Sequence, residues 1–71
     1  MDTKVKKIFI KILGKKVKIN SKSDINNTLG WDSLNHVKII DEIEKIKKKK
    51  LSTIQFLEMT SIKLIENFLK K

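Results

Sequence analysis

The stretch LGWDSLNHVKII, residues 29–40, sets a serine between an aspartate and a leucine where a helical hydrophobic pattern begins. With an advance of about 100° per residue, Ile39, Ile40, Ile43 and Ile46 share one face. The spacing predicts a helix that starts at Asp32 or Ser33 and runs to about Lys47, with lysines 47–50 suiting its carbonyl end. In that phase Leu34 lies roughly opposite the isoleucine face and Val37 sits well off it. The leucine beside the serine is therefore expected in solvent, either tolerated singly or kept for a partner. Three roles are open to Ser33: it caps the helix, acts as a nucleophile, or carries something.

On the N-terminal side of this helix, residues 15–30 lose the helical period and collect Asn20, Ser21, Ser23, Asn26, Asn27 and Gly30. This reads as a long loop with Val17, Ile19, Ile25 and Leu29 as apolar plugs, and such a loop in so small a domain is uncommon and often functional. Before it, Val5, Ile8, Phe9, Ile12 and Leu13 follow helical spacing with Lys4, Lys7 and Lys11 on the other side, and Gly14 supplies a stop. After it, Ser52 and Gln55 form a capping-box pattern for a short helix carrying Ile54, Phe56 and Leu57. Thr60 or Ser61 opens a last helix with Ile62, Ile65 and Leu69 inward, joined by Leu64 or Phe68.

Proline is absent, glycine occurs twice, and no strand-like alternation persists. The expected fold is all-α: one four-helix domain over residues 1–71, monomeric, with a long loop between helices one and two. Its expected core is Phe9, Ile12, Ile39, Ile40, Ile43, Phe56, Ile62 and Ile65.

Composition narrows the function. No cysteine is present, and a single histidine, His36, excludes multi-histidine metal clusters. No apolar run approaches a membrane span and no signal peptide is visible, so the chain reads as cytoplasmic. The formal charge is +9, from 17 basic residues against 8 acidic, which points toward anionic partners. All the basic residues are lysine, however, and lysine, isoleucine and asparagine are used heavily together, as AT-rich coding would give. The missing arginine also removes the commonest bidentate reader of guanine. A small basic helical nucleic-acid binder is the alternative reading. Against it, helix two carries Asp41, Glu42 and Glu44 where a recognition helix needs polar base readers. A basic amphipathic first helix lying on an anionic membrane ranks third.

Asp32, Ser33 and His36 invite comparison with a catalytic triad, but no nucleophile elbow or oxyanion hole is evident and enzyme activity is not expected. His36 reads more simply as a solvated helix residue, and Trp31 as a partly exposed ring bracing the loop against helix two. As a cap, Ser33 or Asp32 would be ordinary. As a carrier, Ser33 would sit where unpaired N–H groups and the helix dipole favour an anion such as a phosphodiester.

On Asp32–Ser33–Leu34, preceded by Leu29–Gly30–Trp31 and placed after a long loop at mid-chain, the sequence resembles the acyl carrier proteins. The tail MTSIKLIENFL, residues 59–69, resembles that family's threonine-led opening of its last helix. The resemblance covers nearly the whole chain. It implies a 4′-phosphopantetheine arm on Ser33 whose terminal thiol holds an acyl group as a thioester. Asp32 would help a phosphopantetheinyl transferase place its metal-bound coenzyme A. Leu34 and Val37 would give apolar contact to acyl ligases, synthases or acyltransferases, with Asp41 and Glu42 as an acidic patch. Nucleic acid is then not a partner. The pathway implied is bacterial, either fatty-acid synthesis or, from the look of GWDSLNH, a specialised route such as sugar acylation, polyketide or peptide assembly.

Two positions depart from the family pattern. Lys38 and Lys45 interrupt the acids of helix two, which implies unusual partners or a smaller acidic patch. Lys47 stands where the family usually has a core aromatic; either Ile46 replaces it or Lys47 buries its stem.

Overall fold

α1 (Thr3–Leu13) starts where the Asp2 carboxylate accepts from the N–H groups of Lys4 and Val5, and it ends at Gly14, whose φ is 97°. The computed structural model describes residues 2–70. Three further helices follow: α2 (Ser33–Lys47), α3 (Thr53–Glu58) and α4 (Ile62–Lys70). Among the described residues there is no strand, only one isolated bridge between Asp24 and Ser61. No described helix is long and apolar enough to cross a membrane.

Local chemistry sets each helix end. Asp32 caps α2 through its carboxylate, and Lys48 closes that helix in the left-handed region at φ 56°. The Ser52–Gln55 capping box is formed reciprocally at the start of α3. Ser61 opens α4, its hydroxyl accepting from Leu64 N–H at 3.2 Å. A side-chain cap of this kind stabilises a helix by about 0.5–2 kcal/mol, which matters most for α3, too short to persist alone.

The core is shared by α1, α2 and α4. Val5, Phe9, Ile39, Ile43, Ile62 and Ile65 are fully buried, with Ile8, Trp31, Ile40, Met59 and Phe68 nearly so. Each such side chain contributes roughly 1.5–3 kcal/mol through removal from water. Six of the eight expected core residues are buried outright, while Ile12 and Phe56 are half-buried and pack against the cluster. Phe56 is only half-buried because α3, none of whose residues is fully buried, leaves it lining the open grooves beside α2. On α4 it is Phe68, not Leu64, that joins Ile62 and Ile65 inside.

The loop over residues 14–32 is ordered by its own polar side chains. Asn20 Oδ1 accepts from Lys22 N–H, Asp24 Oδ1 accepts from Asn26 and Asn27, and Asn27 Oδ1 accepts from Asp24. It is pinned to α4 by two backbone bonds: Ile25 N–H to Thr60 C=O at 2.8 Å, and Ile62 N–H to Ser23 C=O at 3.0 Å. The second of these satisfies a donor that the start of a helix would otherwise leave unpaired.

Four expectations are corrected. Leu29 is not a plug but 83% exposed. Gly30, at φ 87°, turns the chain after it, and Trp31 enters the core instead, edge-on to Phe9 with ring centroids 4.8 Å apart. Trp31 is thus buried, not partly exposed. His36 is buried, not solvated, because the Trp31 ring and α3 close over it. Ile46 lies at the margin of the isoleucine face and is 37% exposed, outside the buried core. Lys47, four residues after Ile43 and seven after Ile40, falls nearer the centre of that face. It is half-buried with its ammonium 5.8 Å from the centre of the Phe68 ring, the stem-burying alternative.

Candidate functional site

Asp32, the residue before α2, has extended backbone (φ −113°, ψ −176°) and its carboxylate accepts from Asn35 N–H at 2.8 Å. Asn35 returns the contact by donating its side-chain amide to Gly30 C=O at 2.7 Å. These bonds fix the turn Gly30–Trp31–Asp32 against the first turn of α2. They also assign the cap to Asp32. Ser33, the first helical residue, is exposed, and among the described residues its hydroxyl has no hydrogen-bond partner.

Behind this turn sits His36. Trp31 Nε1–H, which can only donate, points at His36 Nδ1 at 3.0 Å, so Nδ1 accepts. His36 Nε2 then carries the proton and donates to Phe56 C=O at 2.8 Å. The Phe56 carbonyl lies in the last turn of α3, where helix carbonyls lack intrahelical partners. Its neighbours are satisfied otherwise: Gln55 C=O by Met59 N–H, and Glu58 C=O by Thr60 N–H. His36 therefore ties the loop, α2 and α3 together in its neutral form. Both ring nitrogens are committed away from Ser33, and the Asp32 carboxylate is committed to Asn35, so the three residues form no nucleophile relay.

A cavity of about 260 Å³ opens beside Ser33, lined by Ile25, His36, Val37, Phe56, Leu57 and Thr60 as well as the serine. Most of these contributors are apolar, and they come from the loop, α2, α3 and the α3–α4 connection. Val37 and Phe56 also line a second groove, of about 380 Å³, that runs between α2 and α3 past Asp41 to Leu51. Leu34, Val37, Ile54 and Leu57 are exposed. The serine thus stands at the mouth of an apolar recess on a surface richer in exposed large aliphatic side chains than a solvated helix face requires.

The structure brings Ser33 and Val37 to one recess and sets Asp41 one turn further along the same side of α2. Leu34 is 66% exposed, as its helical phase predicts. Glu42 stands apart. It turns toward α1, pairing with Lys11 at 3.4 Å and Lys45 at 3.1 Å. Hydrogen bonds from Lys45 and then Lys11 hold its carboxyl below the ordinary value, and Glu42 in turn raises Lys45.

Sequence reasoning missed Ile25, Phe56, Leu57 and Thr60 as neighbours of the serine, and it missed the Trp31–His36–Phe56 chain. An indole donor five residues before a histidine was visible, but its target depends on where α3 packs. Compared with family models, with curated proteins and with solved structures, the chain matches none.

Proposed function

We propose that the chain is an acyl carrier protein, with Ser33 as the attachment point of a 4′-phosphopantetheine arm. The observation that carries this reading is the exposed Ser33 hydroxyl, left without a partner at the start of α2 while Asp32 does the capping. Neither a cap nor a relay accounts for a free serine in that place.

The residues present fit the group. A phosphodiester on Ser33 would lie beside the unpaired N–H groups and positive end of α2, and the recess lined by Val37, Phe56 and Leu57 gives an apolar flank for an arm that leaves from its mouth. When attached, the arm supplies a thiol that holds acyl groups as thioesters. The chain's own residues do the positioning. Asp32 and Asn35 fix the turn that presents Ser33, and His36 holds the recess wall by joining α2 to the end of α3.

Leu34, Val37 and Asp41 form the surface offered to a transferase and to acyl-processing enzymes, apolar near the serine and acidic one turn on. Glu42, engaged by Lys11 and Lys45, adds less to it. Bacterial fatty-acid or specialised biosynthesis is the setting this reading favours. The test is mass gain: incubation of the folded chain with coenzyme A, magnesium and a phosphopantetheinyl transferase should add one phosphopantetheinyl group.

A further inference from the structure

The positive charge is not spread evenly. From Thr3 to Ser23 the chain carries Lys4, Lys6, Lys7 and Lys11 in α1 and Lys15, Lys16, Lys18 and Lys22 in the loop, with no acidic residue among them. General lysine enrichment would leave acids interleaved, as they are along α2. Within this segment a hollow of about 440 Å³ forms between α1 and the loop. Lys6, Lys15 and Lys18 line it, all exposed and without an ion pair among the described residues, and half-buried Ile10, Val17 and Ile19 supply its apolar lining. It shares no residue with the recess beside Ser33.

We propose that this hollow is a peripheral docking site for an anionic phospholipid surface, a phosphate headgroup lying among Lys6, Lys15 and Lys18 with the glycerol and upper acyl carbons against Ile10, Val17 and Ile19. Three unpaired ammonium groups around an aliphatic lining match an amphiphilic anion. Juxtaposed lysines gain from the negative potential of such a surface. Single-stranded nucleic acid fits less well, because such strands stack on exposed aromatic platforms. Phe9, Trp31 and Phe68 are buried, and Phe56 packs on His36 with ring centroids 4.7 Å apart. A free phosphate would leave the apolar lining without purpose. The site is independent of Ser33 and requires no modification of it.

Co-sedimentation of the unmodified chain with phosphatidylglycerol–phosphatidylcholine vesicles tests the site, with phosphatidylcholine vesicles, inorganic phosphate as competitor, and a mixed-sequence oligonucleotide as parallel arms. Binding is expected only to the anionic vesicles, falling with salt and resisting phosphate at matched ionic strength. Lys6→Gln, Lys15→Gln and Lys18→Gln together should weaken it about 100-fold, at about fivefold per lysine. The triple Lys48→Gln, Lys49→Gln and Lys63→Gln removes the same charge elsewhere and should change it no more than about threefold, given a screening length of about 8 Å. Val17→Ser should weaken vesicle binding at unchanged charge. Helical circular dichroism checks that each variant is folded. Absence of vesicle binding, equal binding to both vesicle types, displacement by phosphate, equal loss in the two lysine triples, or tighter binding to the oligonucleotide would overturn the proposal.

Discussion

Trp31 donates its indole N–H to His36 Nδ1 at 3.0 Å in the interior of the domain, five residues away in sequence and across the turn that presents Ser33. This bond fixes the histidine as the Nε2–H tautomer and so allows the second bond, to the Phe56 carbonyl at the end of α3. One buried imidazole thereby sets the spacing between the start of α2 and the end of α3, the two walls of the recess at the serine.

Trp31→Phe keeps an aromatic ring against Phe9 but leaves His36 Nδ1 buried without a donor. It should cost about 1–3 kcal/mol in denaturant unfolding, the range for a buried polar atom left unsatisfied. Imidazole nitrogen chemical shifts should report a neutral Nε2–H ring in the wild type. A dominant Nδ1–H ring would contradict the arrangement.

Leu34→Glu and Ile43→Glu separate surface from core on the same helix. Leu34 is 66% exposed and Ile43 fully buried, so the first should shift stability by less than about 0.5 kcal/mol. The second should unfold the domain by placing an unpaired charge inside it. Leu34→Glu should instead weaken modification and the docking of partner enzymes. Equal destabilisation by the two, read by thermal unfolding, would mean that α2 is rotated from the position described.

Much of this arrangement was legible in the residues, and what was missed has a common cause. Helix boundaries, the capping box at Ser52 and the exposure of Leu34 depend on neighbours within a few positions, where periodicity and capping chemistry act. Ser33 stood out for the same reason. The burial of His36 and Trp31 and the exposure of Leu29 depend on how the loop and α3 close over α2. No local pattern carries that information. The division between Asp41 and Glu42 is of the same kind, because only the packing of α1 brings Lys11 to Glu42.

That ion pair makes a pH prediction. The Glu42 carboxyl is held below its ordinary value by Lys45 and Lys11, so the folded state binds its proton less readily than the unfolded chain. Its contribution to stability is complete above the unfolded value of about 4.3 and is lost as the pH falls through the lower folded value. Glu42→Gln should flatten this part of the acid unfolding profile and leave stability near neutral pH only slightly lower, since such exposed pairs contribute little. An unchanged acid profile in that variant would mean that the Glu42 pairs do not contribute to stability.

Attachment of a phosphopantetheinyl group to Ser33 decides whether the chain is a carrier. The folded chain is incubated with coenzyme A, magnesium and several transferases, including one from the source organism, then read by intact mass and fragmentation. A single group on Ser33 is the predicted result. The other serines serve as controls: Ser23 is buried, Ser52 and Ser61 cap helices, and Ser21 lies in the loop outside the Asp-Ser-Leu context. Ser33→Ala should fold with a stability change of less than about 0.5 kcal/mol, since Asp32 supplies the cap, and it should accept no group. Failure of every transferase on folded protein, or attachment at another serine, would contradict the carrier reading.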